Sequence, residues 1–250
     1  MEQRSESWFA ARLGKATASN FADVLAKLKN GGEAAGRRNY RARLVVERLT
    51  GKPLESFSNA AMQQGVEREP LARLAYEAET GNVVEEVGFI QHRTLQAGAS
   101  PDGLIDAVGA LEIKCPTLAT HLDYLKLEAE PPEYTAQIQG QLWICEREWC
   151  DFVSFNPDFP EHLQLIVRRI QRDEIYIAKL ESEVAQFLDE VEAETQRWRI
   201  AARLQINSNE RRNCCVVKYK RTRRSAKMSL ALPRSARSSP PITVPTKIHV

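Results

Sequence analysis

The chain has 250 residues, 43% of them hydrophobic and 27% charged, with a formal net charge of +2. That length and balance fit a soluble chain of one large or two small globular domains, and no stretch approaches the roughly 18 apolar residues of a membrane span. From Leu204 onward there are 11 Lys and Arg against the single acid Glu210, which leaves 24 basic and 32 acidic residues before it, so an acidic body precedes a basic tail. The first residues, Met1-Glu2-Gln3-Arg4-Ser5-Glu6, lack the apolar core of a signal peptide, and the expectation is a cytoplasmic protein. Five cysteines form no C-x-x-C pair and four histidines are scattered, so neither a disulfide framework nor a zinc cluster is expected.

In chain order, Ser5 to Leu13 predicts a short helix capped by Ser5 or Ser7, with Trp8, Phe9 and Leu13 on its apolar side. A second helix is expected from Ala18 or Ser19 to Leu28, then a loop marked by Asn30-Gly31-Gly32 and Gly36. Tyr40, Leu44, Val45 and Leu49 give helical spacing from Arg37 to Thr50, where Gly51 and Pro53 stop it. Asn59 to Thr80 also reads as a helix, interrupted by Pro70 and closed by Gly81. Val83–His92, Leu95–Leu104 and Gly109–Cys115 read as strands, followed by helices at Leu118–Leu127 and Pro132–Cys145. Cys150–Phe155 and Leu163–Ile170 predict two more strands, and Asp173 to about Trp198 a last amphipathic helix. Asn207 onward loses periodicity and reads as a disordered tail, which divides the chain into a body over 1–203 and a basic segment over 204–250. Helices followed by a strand cluster and then by helix and strands suggest an α/β fold, a mixed sheet flanked by helices.

One constellation carries chemistry. Ser100-Pro101-Asp102 is followed ten residues after the aspartate by Glu112-Ile113-Lys114, within the alternating run Ala110 to Cys115. Strand side chains alternate faces, so Leu111 and Ile113 go to the core while Glu112 and Lys114 point together toward Asp102. Pro-Asp-Gly alone is a common turn, and Glu-x-Lys alone is often a solvated pair. In this order, two carboxylates beside a lysine suit Mg²⁺ on a phosphate, because Mg²⁺ takes one or two carboxylates, waters and phosphate oxygens. A lysine beside it can orient a water or stabilise charge. Glu69 lies one helical turn from Gly65 on the preceding helix; by itself it reads as a solvated helix glutamate.

With these residues assembled, the chain resembles the phage lambda exonuclease family of viral recombination nucleases, within the wider P-D…(D/E)-x-K superfamily. The likeness runs from about Ser7 to Phe187 and rests on five ordered segments: Trp8–Ser19, Asn59–Glu69, Gly98–Leu104, Leu111–Pro116 and Tyr134–Gln139. It implies a restriction-endonuclease-like mixed sheet flanked by helices. It implies that Asp102 and Glu112 ligate metal together with the Ile113 backbone carbonyl, that Glu69 approaches a second ion, that Lys114 acts on the attacking water and that Gln137 supports the site. Arg12, Ser19 and Ser100 match residues that bind a terminal 5′ phosphate, and Met62 falls where the family places an apolar wedge at the DNA end. Where the family carries further cations near DNA, this chain has Ala60 and Thr120, with His121 and Lys126 as nearby candidates.

The activity implied is a Mg²⁺-dependent 5′→3′ exonuclease, with Mn²⁺ as a substitute and two ions per site, that digests linear double-stranded DNA to leave 3′ single strands for recombination. A ring-shaped homotrimer and a single-strand annealing recombinase as partner are implied with it; no membrane association is. The rival readings are an endonuclease of the same superfamily and a non-catalytic DNA-end-binding protein that acts through the basic tail.

Overall fold

The computed structural model describes residues 2–54 and 60–228, with side chains described for 2–54 and 63–204. The elements are α1 (Glu6–Arg12), β1 (Ala16–Thr17), α2 (Phe21–Leu25), α3 (Ala35–Thr50), α4 (Ala60–Thr80), β2 (Val84–Glu85), β3 (Ile90–Gln91), β4 (Ala97–Ala99), β5 (Gly103–Ile105) and β6 (Gly109–Lys114), then α5 (Leu118–Tyr124), α6 (Thr135–Ile144), β7 (Trp149–Phe155), β8 (Leu165–Gln171) and α7 (Glu174–Met228). The chain divides into two units, Met1–Arg199 and Ile200–Val250. Helical backbone thus reaches Met228, into the segment expected from sequence to be without structure. Among the described residues no helix is long and apolar enough to cross a membrane.

A five-stranded mixed sheet, ordered β2-β5-β6-β7-β8, carries the first unit. Within it β6 and β7 run parallel, and the other neighbouring pairs are antiparallel. The alternation expected of β6 holds. Leu111 and Ile113 pack on one face with Val153 and Phe155, under Ala72 and Tyr76 of α4. Ala110 belongs to the other face, with Cys150 and Phe152, Ile138 and Leu142 of α6, and Leu180, Val184 and Phe187 of α7. Burying each such Leu, Ile or Phe contributes about 1.5–3 kcal/mol. α6 comes close to α2 because of Gly140: a Cβ there would stand 2.4 Å from Phe21 Cδ2.

The two long strands expected over Val83–His92 and Leu95–Leu104 are four short ones. β3 and β4 join β1 in a separate three-stranded sheet, while β2 and β5 join the five-stranded sheet. The chain therefore changes sheets twice, at 86–89 and at 100–102. Pro101 has no N–H to give a ladder. The carbonyls of Val87 and Pro101, one at each break, both accept from Gln3 Nε2, at 3.0 and 2.8 Å. The second expected helix is also shorter. A 3-10 turn at Ala18–Asn20 precedes α2, and extended Ala26 ends it before Leu28.

Candidate active site

β5 and β6 form the hairpin that brings the two halves of the acidic motif together. Asp102 donates its N–H to the Leu111 carbonyl at 2.9 Å and accepts the Ile113 N–H on Oδ2 at 2.7 Å. Glu112 points to the opposite face from Leu111 and Ile113, and it is only 2% exposed. Its Oε1 accepts from Lys114 Nζ at 2.5 Å and from Gln137 Nε2 at 2.6 Å. Its Oε2 accepts from Gln141 Nε2 at 2.5 Å. Lys114 lies 4.8 Å from the centre of the Tyr134 ring, with a side chain 26% exposed. The sequence placed Glu112 and Lys114 on an open face; instead α6 covers that face, so the pair is enclosed.

The charges do not balance locally. Burial, with the negative charges of Glu112 and Glu69, raises the Asp102 carboxyl well above its ordinary range, against Lys114 and the Ile113 N–H. Burial lowers the Lys114 ammonium, but Glu112 and Asp102 outweigh it and the net direction is upward. Excess buried carboxylate of this kind is what a divalent cation relieves. Two hard oxygen side chains facing one cavity fit Mg²⁺, which keeps several waters. Among the described residues no group of three or more His, Cys, Asp or Glu gathers into a ready-made cage. Glu69 is instead held by Arg4 at 2.7 Å and Arg73 at 3.7 Å.

Next to the carboxylates is a cationic corner. Arg12 Nη1 and Trp8 Nε1 both donate to Ser100 Oγ, at 3.2 and 3.0 Å, and the guanidinium stacks 4.0 Å from the Trp8 ring. Arg12 makes no ion pair among the described residues, and burial brings its pKa down to about 10, so it remains cationic at neutral pH. Trp8 and Phe9, on the apolar side of α1, line the cavity. Ser19 is exposed at its rim, with its hydroxyl 3.3 Å from that of Thr17.

One cavity of about 1080 Å³ is lined by Arg12, Ser19, Glu69, Ser100, Asp102, Glu112, Ile113, Lys114 and Gln137. Every site residue taken from the sequence is there except Met62, whose side chain lies outside the described ones. Thr120 also lines it. His121 does not stand in for a missing cation: it is fully buried, with Nδ1 2.8 Å from Ser154 Oγ and Nε2 2.8 Å from the Leu163 carbonyl. Lys126 is exposed and pairs with Asp123 at 2.7 Å.

A profile described as the YqaJ-like viral recombinase domain matches residues 7–148, more than half of the chain and the whole of the acidic hairpin. The chain belongs to this YqaJ-like viral recombinase family. Two crystal structures of an alkaline exonuclease (LHK-Exo) from Laribacter hongkongensis are similar. The one in complex with dAMP is 50% identical with a TM-score of 0.75, and the other 49% identical with a TM-score of 0.74; each alignment covers 80% of this chain and 100% of that one. A phage-related exonuclease from Haemophilus somnus 129PT, 16% identical over 74% of this chain and 96% of its own with a TM-score of 0.61, shares the fold. No curated protein sequence matches the chain. The resemblance and the mixed α/β fold read from the sequence are thereby borne out, and a nuclease role is supported.

The YqaJ-like site also contains groups that the sequence reading passed over. Gln141 is four residues beyond Gln137, the spacing that puts two helix side chains on one face, and that spacing was the available signal. Arg4 on Glu69 and Gln3 on the two strand breaks join segments 65 to 98 residues apart, and no local pattern announces them.

Proposed function

We propose that this chain is a metal-dependent 5′→3′ exonuclease that digests linear double-stranded DNA and leaves 3′ single-stranded DNA for recombination. The observation that carries the reading is the sharing of one cavity by the Asp102–Glu112–Lys114 cluster and the Arg12–Ser100 corner. Ser100 and Asp102 are two residues apart, a span of at most about 7 Å of chain. A phosphate held at Ser100 is therefore kept within a short distance of the carboxylates.

Asp102 and Glu112, with the Ile113 carbonyl, would hold Mg²⁺ or Mn²⁺, and Glu69 a second ion once released from Arg4. The cation would supply water activation and charge neutralisation at the phosphate. Lys114 would orient the attacking water and stabilise the charge that builds on the phosphoryl oxygens. Gln137 holds Glu112 in place. The water oxygen bonds to phosphorus as the bond to the 3′ oxygen of the terminal nucleotide breaks, and that oxygen leaves as a hydroxyl. A 5′-mononucleotide departs, and the shortened strand again ends in a 5′ phosphate, the group that Arg12, Ser19 and Ser100 would grip. The relative solved with dAMP agrees with a mononucleotide product. Met62 would act as the wedge at the end of the duplex.

A ring of three chains would keep the enzyme on its DNA, and a single-strand annealing recombinase would take up the 3′ strand in the cytoplasm. The test is digestion of end-labelled linear duplexes, with 5′ phosphate or 5′ hydroxyl, beside a covalently closed circle and with or without Mg²⁺. The expected result is Mg²⁺-dependent release of mononucleotides from 5′ ends with the circle intact. Cutting of the circle would mark an endonuclease, and DNA binding without turnover a non-catalytic end-binding protein.

A further inference from the structure

α6 carries three glutamines on alternate positions, and they are not equivalent. Gln137 reaches Glu112 Oε1 at 2.6 Å. Gln139 is buried, and its amide is satisfied at both ends by backbone: Nε2 donates to the Gln171 carbonyl at 2.9 Å and Oε1 accepts the Asp173 N–H at 2.9 Å. It ties α6 to the turn between β8 and α7, which is a structural task. Gln141 has no such ties. It is 1% exposed, its Nε2 donates to Glu112 Oε2 at 2.5 Å, and its Oε1 has no hydrogen-bond partner among the described residues.

No described protein group pairs this carbonyl, so what Gln141 contributes lies in its other contact. An apolar side chain of similar size would fill the space without it, as Leu142 and Ile138 do on the same helix. Turning the amide over would set its oxygen 2.5 Å from a carboxylate oxygen, so the orientation is dictated by Glu112. The benefit of Gln141 thus comes through Glu112. A carboxylate has about four acceptor positions, two on each oxygen. Lys114 and Gln137 occupy both positions on Oε1, and Gln141 occupies one on Oε2. The position left over is on Oε2, and the bond from Gln141 sets where it points.

We propose that Gln141 is a positioning residue for divalent-cation binding: it fixes Glu112 so that the remaining acceptor position of Oε2 faces the cavity that Gln141 itself helps to line. This rests on the metal-dependent reading of the site. Residues that hold a metal ligand without touching the metal typically change affinity by about 10- to 100-fold when removed.

The experiment compares wild type with Gln141→Met, which keeps the volume and removes both polar atoms, and Gln141→Asn, which keeps an amide that no longer reaches. Mg²⁺ and Mn²⁺ binding to the DNA-free proteins is measured by calorimetry, alongside melting temperature and the Mg²⁺ dependence of turnover on a linear duplex. The expected result is a folded Gln141→Met protein that binds Mg²⁺ about 10- to 100-fold more weakly. Its turnover should recover toward wild type at saturating Mg²⁺, and its KM for DNA should be unchanged. Gln141→Asn should show the same loss. Wild-type Mg²⁺ affinity in either folded variant overturns the proposal and leaves the exonuclease reading intact, as does a loss of turnover that saturating Mg²⁺ does not restore. Failure of both variants to fold overturns it as well, because Gln141 would then serve the fold. A wild type that neither binds Mg²⁺ nor degrades DNA overturns the exonuclease reading and this proposal together.

Discussion

Asp102 and Ile113 are joined by a side-chain-to-backbone hydrogen bond: Asp102 Oδ2 accepts the Ile113 N–H at 2.7 Å. The aspartate is thereby pinned to the strand that carries Glu112. Its own N–H is spent on the Leu111 carbonyl of that strand. Two carboxylates that repel one another are thus held side by side by the backbone between them. A donor set preorganised in this way would not need to be assembled around a cation, and a cation bound there would remove the repulsion.

Removing either carboxylate should remove metal-dependent cleavage. Asp102→Ala, Glu112→Ala and Glu112→Gln should each weaken Mg²⁺ binding by about 100-fold or more, beyond the ~10- to 100-fold typical of a residue one step removed from the metal. Calorimetry on the DNA-free proteins checks this. Unchanged affinity in all three variants would mean that the cation is held elsewhere.

The raised carboxyl of Asp102 predicts a pH-dependent stability in metal-free protein. Its unfolded value is 3.8, and burial with the neighbouring Glu112 and Glu69 charges lifts the folded value well above that. Between the two values the folded state holds a proton that the unfolded state has lost, so stability falls as pH rises through the folded value. The favourable contribution is complete only below 3.8. Asp102→Asn cannot lose a proton and should escape this decline. Melting in EDTA across the acidic-to-neutral range should therefore show the variant gaining on wild type as pH rises. Parallel curves would contradict the geometry.

Lys114→Ala should lower turnover by on the order of 10²–10³-fold, the usual cost of deleting an electrostatic stabiliser of a developing charge. The side chain is enclosed against Tyr134 and neutralises Glu112 and Asp102, so the variant should also melt lower without metal. Added Mg²⁺ should restore much of the stability and little of the rate. Near-wild-type turnover at saturating Mg²⁺ would remove Lys114 from the chemistry.

The parts of the site legible in the sequence are those whose geometry is local. The alternation of Gly109–Lys114 assigns Leu111 and Glu112 to opposite faces without knowledge of the fold, because strand side chains have a period of two. Arg12 and Ser100 were named only through the family resemblance, and the structure joins them across 88 residues. The division of residues 83 to 104 between two sheets was not legible, because it depends on which neighbour each short strand finds. The enclosure of Lys114 depends on α6 lying over β6, and α6 is also held close to α2 by the approach of Gly140 to Phe21. Contacts of this kind come from packing, and no spacing rule encodes them.

The end preference of the enzyme should reside in Arg12. The guanidinium is stacked on Trp8, aimed by Ser100 and not neutralised by an ion pair among the described residues, so its donors can turn to an incoming phosphate. A planar fork can grip two phosphate oxygens, and a hydroxyl end offers no such anion. A hydrogen bond to a charged group contributes about 1.5–3 kcal/mol, a factor of roughly 10 to 100 in binding. Wild type should therefore favour phosphorylated ends by about that factor, and Arg12→Ala should lose most of it with little change on hydroxyl ends. Arg12→Lys should recover the charge but not the two-point grip, and so only part of the preference. Burial brings the Arg12 pKa down to about 10. Burial disfavours the charge without removing it, so the wild-type preference should hold through neutral and mildly alkaline pH. Single-turnover rates on matched phosphorylated and hydroxyl duplexes across that range provide the measurement. Equal wild-type rates on both ends at neutral pH would show that this corner does not bind the terminal phosphate.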